Sequence, residues 1–410
     1  MRACPHNNLR PGKKETHADI PPGGYKREDT AGKPSGITMV IKKEYTYIIA
    51  AVVIIAIAAV AFYAFTGSST TTSATKTTAA ASSGTQTQLK SLNVGYLPNN
   101  GHALIFIAKE KGYFEKEGLD VNLLQFQNSA EGTNAIIAKK VDVGGFGLTP
   151  LIFVSKGANE TIIGGLDGDA AGLVVTADKA DQYKNLTTFK DLVALKGKTI
   201  ATVRASTGDI HFRDALTQAG LDLTKDITIQ ELANPQLVLD AVKAGKVDAG
   251  LVWTPYMEQA QSQGFKVVLY TGDLYPHHPC CRIAVLTDNL NTNRDTYVKF
   301  DRALIESYKW LKENPDASVD IVGKYVPVNR SILQDAMTNG KTYNSPDPNK
   351  NGIDKIYTMM KNMNYINTTV NIDDHVDTSV YKQALDELVR ENPSDSFYAQ
   401  QETVYQTLDT

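Results

Sequence analysis

The sequence predicts two similar α/β lobes in tandem, carried behind one membrane-spanning helix and a polar linker. Three observations predict this organisation: an internal repeat with an offset of 106 residues, an uncharged apolar run of 21 residues near the N-terminus, and a hydroxyl-rich stretch between them.

The repeat carries the fold class. Residues 135–144 read AIIAKKVDVG and 241–250 read AVKAGKVDAG; each is followed by an apolar stretch and a Thr-Pro pair, Thr149-Pro150 and Thr254-Pro255. Upstream in each unit, a strand-like run (LNVGYL at 92–97, KTIATV at 198–203) meets a Gly-containing loop and a helical pattern. A Gly-Leu-Asp follows, at 118–120 and 220–222, and then a second strand, VNLLQF or DITIQEL. Both units read strand, loop, helix, strand, helix, strand, which is the order of a parallel α/β sheet. Helical spacing is visible at Val238 and Val242. Two such lobes imply a cleft, and in parallel sheets the loops at the carboxyl ends of the strands, beside helix N-termini, face the ligand.

GLVVTAD (172–178) and IAVLTDN (283–289) also resemble each other and close the two units. They read as neighbouring hinge strands linking the lobes. The expected boundaries are residues 91–180 for lobe 1, 181–282 for lobe 2, and 283–410 for a return to lobe 1 with C-terminal helices. Along that return, Tyr297, Phe300, Leu304, Tyr308 and Leu311 form one stripe.

Residues 45–65 contain no charge and no proline. At about 1.5 Å per residue such a helix is roughly 30 Å long, the thickness of a bilayer core. The run is longer than a secretory signal core, and no cysteine follows it to carry a lipid. Lys42 and Lys43 precede it, so the positive-inside rule leaves residues 1–44 in the cytoplasm, as a short tail or an over-extended gene start ahead of Met39. The expected location is therefore the cell membrane, single-pass, with the rest of the chain on the extracytoplasmic side. Residues 66–88 hold 14 Ser or Thr among 23, a composition unable to bury a core, so 66–90 reads as a solvated linker. From residue 91 onward there are 31 basic and 40 acidic side chains, a balance that argues against nucleic acid and against broad electrostatic membrane binding.

Four segments in order, GYLPNNGHALIFIAKEKGYFEKEGLDVNL, AIIAKKVDVGGFGLTP, LKGKTIATVRASTGDIHFRDAL and AVKAGKVDAGLVWTPY, make the chain resemble the nitrate/sulfonate/taurine class of ABC-importer binding proteins. The resemblance spans roughly residues 91–335 and continues more loosely to 392. It implies a two-lobed type II periplasmic-binding fold that closes over a small solute, an expected anion such as a sulfonate or nitrate. It also implies permease and ATPase subunits as partners, and no cofactor.

Carried over residue by residue, the resemblance places ligand contacts on four loops: Tyr96, Asn99, Gly101 and His102; Gly147, Leu148 and Thr149; Ser206, Thr207 and Gly208; and Trp253, Thr254 and Tyr256. Ser206 and Thr207 fit a helix N-cap whose hydroxyls and free N–H groups hold an anion, or they simply cap the helix. Trp253 is one of two tryptophans, suited to stacking on a ligand or to filling a core. His102 is either an anion donor or a helix-entry residue, and Asp167 either binds an amine or closes a turn.

Cys280 and Cys281, in YPHHPCCR, depart from the family pattern and leave three readings open. These are a vicinal disulfide in the oxidising exterior, a soft-metal site with His277 and His278, or two small buried residues beside the cleft. Arg282 reads as an anion partner for the ligand or as a salt bridge across the hinge. The rival function is an enzyme like the thiamine-pyrimidine synthases, which share the fold but carry a richer cysteine motif and act with iron. Neither a P-loop nor a HEXXH zinc motif is present.

Overall fold

The computed structural model describes residues 89–410. The readings made for the N-terminal tail, the 45–65 span and the linker up to residue 88 lie outside the described residues. Among the described residues no helix is long and apolar enough to cross a membrane.

β1 (Lys90–Tyr96) leads through a loop into α1 (Ala103–Glu110). β2 (Leu119–Gln125), α2 (Ser129–Ile137), β3 (Val143–Phe146), α3 (Thr149–Val154) and β4 (Glu160–Gly165) follow. After β5 (Asp167–Gly168) and β6 (Ala171–Val175) the order repeats: β7 (Thr199–Val203), α4 (Thr207–Gln218), β8 (Thr228–Leu232), α5 (Pro235–Lys243), β9 (Ala249–Trp253), α6 (Tyr256–Ser262) and β10 (Lys266–Tyr270). The chain returns through β11 (Arg282–Leu286) to α7 (Thr287–Glu313), α8 (Pro315–Val322), α9 (Arg330–Thr338), β12 (Tyr343–Asn344), α10 (Lys350–Asn362), α11 (Thr378–Glu391) and α12 (Ser396–Leu408).

Two five-stranded sheets result, ordered β2-β1-β3-β11-β4 and β10-β6-β9-β7-β8. In each, three strands of one repeat run parallel, and the fourth strand is antiparallel and arrives from the other lobe. Apolar clusters cover both faces of each sheet, so every central strand is buried on two sides.

The repeat is visible at single hydrogen bonds. Asn128 caps α2 by accepting from the Glu131 N–H at 2.9 Å, and Asn234, 106 positions later, caps α5 by accepting from the Leu237 N–H at 3.0 Å; such caps contribute about 1 kcal/mol each. Asp142 Oδ2 accepts from the Asn93 N–H at 2.8 Å, and its counterpart Asp248 Oδ2 accepts from the Thr199 N–H at 3.0 Å. The repeated Val-Asp thus ties the start of the third strand to the first strand in both lobes.

The expected neighbouring hinge strands are not neighbours. β6 lies inside the second sheet and β11 inside the first, at equivalent positions. Their apolar residues are wholly buried, and that drives them into sheet centres rather than into an exposed link. The crossing is made just before them. Cys280 N–H donates to Asp167 O at 2.9 Å and Leu166 N–H to Cys281 O at 3.0 Å, with a bridge between Gly168 and Pro279. β12 pairs antiparallel on the other edge of β5, and the Ser345 N–H adds a bond to Leu166 O at 3.0 Å. The chain therefore enters the second lobe near residue 170, ahead of the expected boundary at 180.

The stripe on α7 faces inward: Tyr297, Phe300 and Leu304 are buried, Tyr308 and Leu311 partly so, and Phe300 stacks on Phe114 at 5.0 Å. Burying each such side chain is worth about 1.5–3 kcal/mol. Arg302 joins α7 to Glu117 at 3.0 Å and to Glu387 and Glu391 of α11. The C-terminal third does more than return to the first lobe, because α9 packs on α6 and α10 on α4 of the second.

Glu160, at the head of β4, is buried with neither carboxylate oxygen hydrogen-bonded, and burial pushes its pKa up to about 8. The folded state holds a proton that the unfolded chain releases near its ordinary value. Stability contributed by this group is therefore present at acid pH and lost as pH rises from about 4.5 through about 8. Melting temperature is expected to decline across this window, and Glu160→Gln should flatten the decline; an unchanged slope in the variant would refute the assignment.

Candidate functional site

The strand-end loops of both lobes meet around a cavity of about 30 Å³, counted as space open to the centres of water molecules. Leu97, Asn99, Ser129 and Gly147 line it from the first lobe. Ser206, Thr207, Gly208, Trp253 and Thr254 line it from the second, and Asp167, Ala170, Ala171, Cys280 and Cys281 line it where the chain crosses.

Hydrogen bonds across the cleft follow the repeat. Thr149 Oγ1, after β3, donates to Ala205 O in the second lobe at 2.8 Å; Thr254 Oγ1, after β9, donates to Asn100 Oδ1 in the first lobe at 2.8 Å. Each Thr-Pro loop thus reaches the loop that follows the opposite lobe's first strand. The Leu148 N–H adds a bond to Thr207 Oγ1 at 2.9 Å. These groups sit beside the cavity and hold the lobes together in a closed arrangement.

The remaining sequence-predicted residues are placed differently. Tyr96 is buried, edge-on to Phe106 at 5.1 Å, and its hydroxyl donates to Gln125 at 3.3 Å. His102 is fully buried and its Nδ1 accepts from the Leu97 N–H at 3.3 Å; burial pushes its pKa down to about 3, so the ring is neutral and supports the loop. Gly101 lies behind Asp167, where a Cβ would stand 1.7 Å from Asp167 Oδ2. Tyr256 starts α6 and packs edge-on to Trp253 at 6.2 Å. Leu97, Ser129, Ala170 and Ala171 were not anticipated. Ser129 Oγ accepts from the Gly147 N–H at 3.0 Å, and its one signal is that it follows the Asn cap where the second copy has Pro235.

Helix α4 points its N-terminus at the cavity. Ser206 caps it by accepting from the Asp209 N–H at 3.2 Å, leaving the Thr207 and Gly208 N–H groups as the orphan donors of the first turn. Buried Asp209 already complements the helix dipole there, taking bonds from Thr202 at 2.9 Å and from Arg213 at 2.9 Å.

Among the described residues that line the cavity, Asp167 is the one carboxylic acid. Burial raises its pKa to about 6, against the pull of the Cys281 N–H at 2.6 Å and of nearby Arg282. Arg282 does not line the cavity and makes no carboxylate ion pair across the hinge. It is buried behind the hinge, donating from Nη2 to Asp167 O at 2.8 Å and from Nη1 to Asp347 O at 3.4 Å. The thiols of Cys280 and Cys281 are free, with Sγ atoms 4.0 Å apart, about twice a disulfide bond length. The neighbouring histidines do not join them: His278 turns to Thr271 at 3.0 Å and lies tilted against His211 with ring centroids 4.0 Å apart, and His277 packs toward Tyr343. The third ligand-type atom beside the thiols is a carboxylate oxygen of Asp167.

Residues 85–323 match the sequence profile of the NMT1-like family. The chain belongs to the NMT1-like family. A Bacillus subtilis protein named as a binding protein for aliphatic sulfonates is 26% identical over 75% of this chain and 91% of its own length. Among solved structures, the periplasmic nitrate-binding protein NrtA from Synechocystis superposes with a TM-score of 0.65 at 18% identity, covering 73% of this chain and 89% of its own. The periplasmic aliphatic sulphonate binding protein SsuA from Escherichia coli gives 0.58 at 20% identity, covering 70% and 91%. These likenesses give the NMT1-like chain the α/β periplasmic-binding-protein fold.

Proposed function

We propose that the chain is the extracytoplasmic solute-binding component of an ABC importer, taking a small solute between its lobes and delivering it to a permease. The observation that carries this reading is the cavity enclosed by strand-end loops of both lobes, with the repeated threonines bonding reciprocally across it. A solute bridging the lobes favours the closed arrangement by the free energy of contacts made only there. The relatives named for nitrate and aliphatic sulfonates support a small solute with an oxyanion group, for which the first turn of α4 offers free N–H donors. The uncharged run at 45–65 supports attachment to the membrane with the lobes outside.

A thermal-shift screen of the full chain against nitrate, bicarbonate, isethionate and taurine tests the reading. At least one should raise the melting temperature, and Trp253→Ala should weaken that solute's binding by about tenfold while leaving the unliganded melting temperature within a few degrees. No shift with any of the four would count against it.

A further inference from the structure

One buried acid at this cavity has an oxygen aimed away from its known partner. Asp167 is 1% exposed; Oδ1 accepts from the Cys281 N–H, and Oδ2 lies over Gly101, in the space a side chain there would fill. Asn99 Oδ1 faces the same point at 2.9 Å and is buried without a hydrogen-bond partner. Two acceptor oxygens thus crowd one spot, and that of Asn99 is left without a donor where an unmet buried acceptor is costly. No lysine, arginine or histidine lines the cavity. Its electropositive element is the first turn of α4, worth about half an elementary charge and already answered by Asp209. Arg282, behind the hinge, offsets part of the Asp167 charge without reaching the cavity, so Asp167 is the acceptor that a solute's nitrogen meets there.

We propose that Asp167, assisted by Asn99, is a specificity-determining residue that selects solutes carrying a protonated amine or amidine. The proposal rests on the solute-binding reading and narrows it. An oxyanion at one end of the solute can lie on the Thr207 and Gly208 N–H groups while its nitrogen donates to Asp167; a simple oxyanion leaves Asp167 unanswered and meets its charge. Charge-assisted N–H donation to a carboxylate is about twice as strong as a neutral hydrogen bond, and its loss leaves a buried charge unpaired.

Calorimetric titration of the full chain with matched pairs tests this: taurine against isethionate, β-alanine against propionate, and benzamidine against benzoate. At about pH 7.5 the nitrogen-bearing member of at least one pair should bind about tenfold tighter or more, and Asp167→Asn should bring that ratio close to one. Its affinity should also fall below about pH 6, where Asp167, placed among Arg282, Asp169, Cys280 and Cys281, takes up a proton. Equal or tighter binding of the nitrogen-free members overturns the proposal and leaves the solute-binding reading standing. A preference that Asp167→Asn does not change overturns it as well. So does tight binding of zinc chloride that Cys280→Ser abolishes, since Asp167 would then serve a metal with the thiols. Binding of none of these probes overturns the proposal, and the nitrate and bicarbonate arms of the thermal-shift screen then decide the solute-binding reading.

Discussion

Arg282→Met is expected to lower the unfolding free energy by about 3–5 kcal/mol, the cost of removing one partner from a buried charged network. The guanidinium is among the largest fully buried groups of the chain, and it donates to the carbonyls of Asp167 and Asp347. Its charge also favours ionisation of Asp167, Asp347 and Asp409. Methionine fills similar volume but removes one donor from each of two buried carbonyls, of which Asp167 O keeps the Cys280 N–H, and takes a positive charge from beside three acids. With each kcal/mol worth about 2–4 °C in a domain of this order of size, the melting temperature should drop by roughly 10 °C. Arg282→Lys should recover part of the loss, because the charge returns without the fork that reaches both carbonyls. A methionine variant that melts within a degree of the wild type would mean that strand pairing alone holds the hinge.

Gly101→Ala is expected to destabilise the fold by about 1–3 kcal/mol, as overpacked sites do, and to weaken solute binding by roughly 30-fold or more. The added methyl would stand 1.7 Å from Asp167 Oδ2 and 2.7 Å from its Cγ, so the carboxylate must leave its seat and loosen its bond to the Cys281 N–H. Because the severe clash is with Asp167, and Asn99 Oδ1 at 2.9 Å is a side-chain end that can give way, the double variant Gly101→Ala/Asp167→Ala should melt close to Asp167→Ala alone. Additive losses in that cycle, read from urea unfolding, would show that the alanine disturbs the loop backbone instead.

The fold was legible in the sequence wherever the repeat imposed the same local chemistry twice. Asn128 and Asn234 cap equivalent helices, and Asp142 and Asp248 tie equivalent strands, at a constant offset. Thr149 and Thr254 follow the repeat at an offset of 105, one residue short of the rest, and both stand at the cleft. What the sequence obscured was direction. Tyr96 and His102 flank cavity residues along the chain yet turn inward, since alternation ceases to be readable where β1 ends and the loop begins. Ala170 and Ala171 reach the cavity through the course of the crossing segment, which composition does not record. The hinge was misjudged for a related reason: buried apolar runs mark sheet centres, whereas the link itself is written in Asp, Gly, His and Pro. Its third segment, Tyr343–Asn344, comes from more than 170 positions away and has no local signal.

The lobes are joined by a narrow ribbon in which Leu166–Asp169 is flanked by His278–Cys281 on one edge and by Tyr343–Ser345 on the other. The hydrogen bonds between its segments resist sliding of one strand along another. The outer strand also belongs to the tail that seats α9 and α10 against the second lobe. The tail is a tether with both ends fastened, and its slack, rather than the two connecting segments alone, limits how far the cleft can swing.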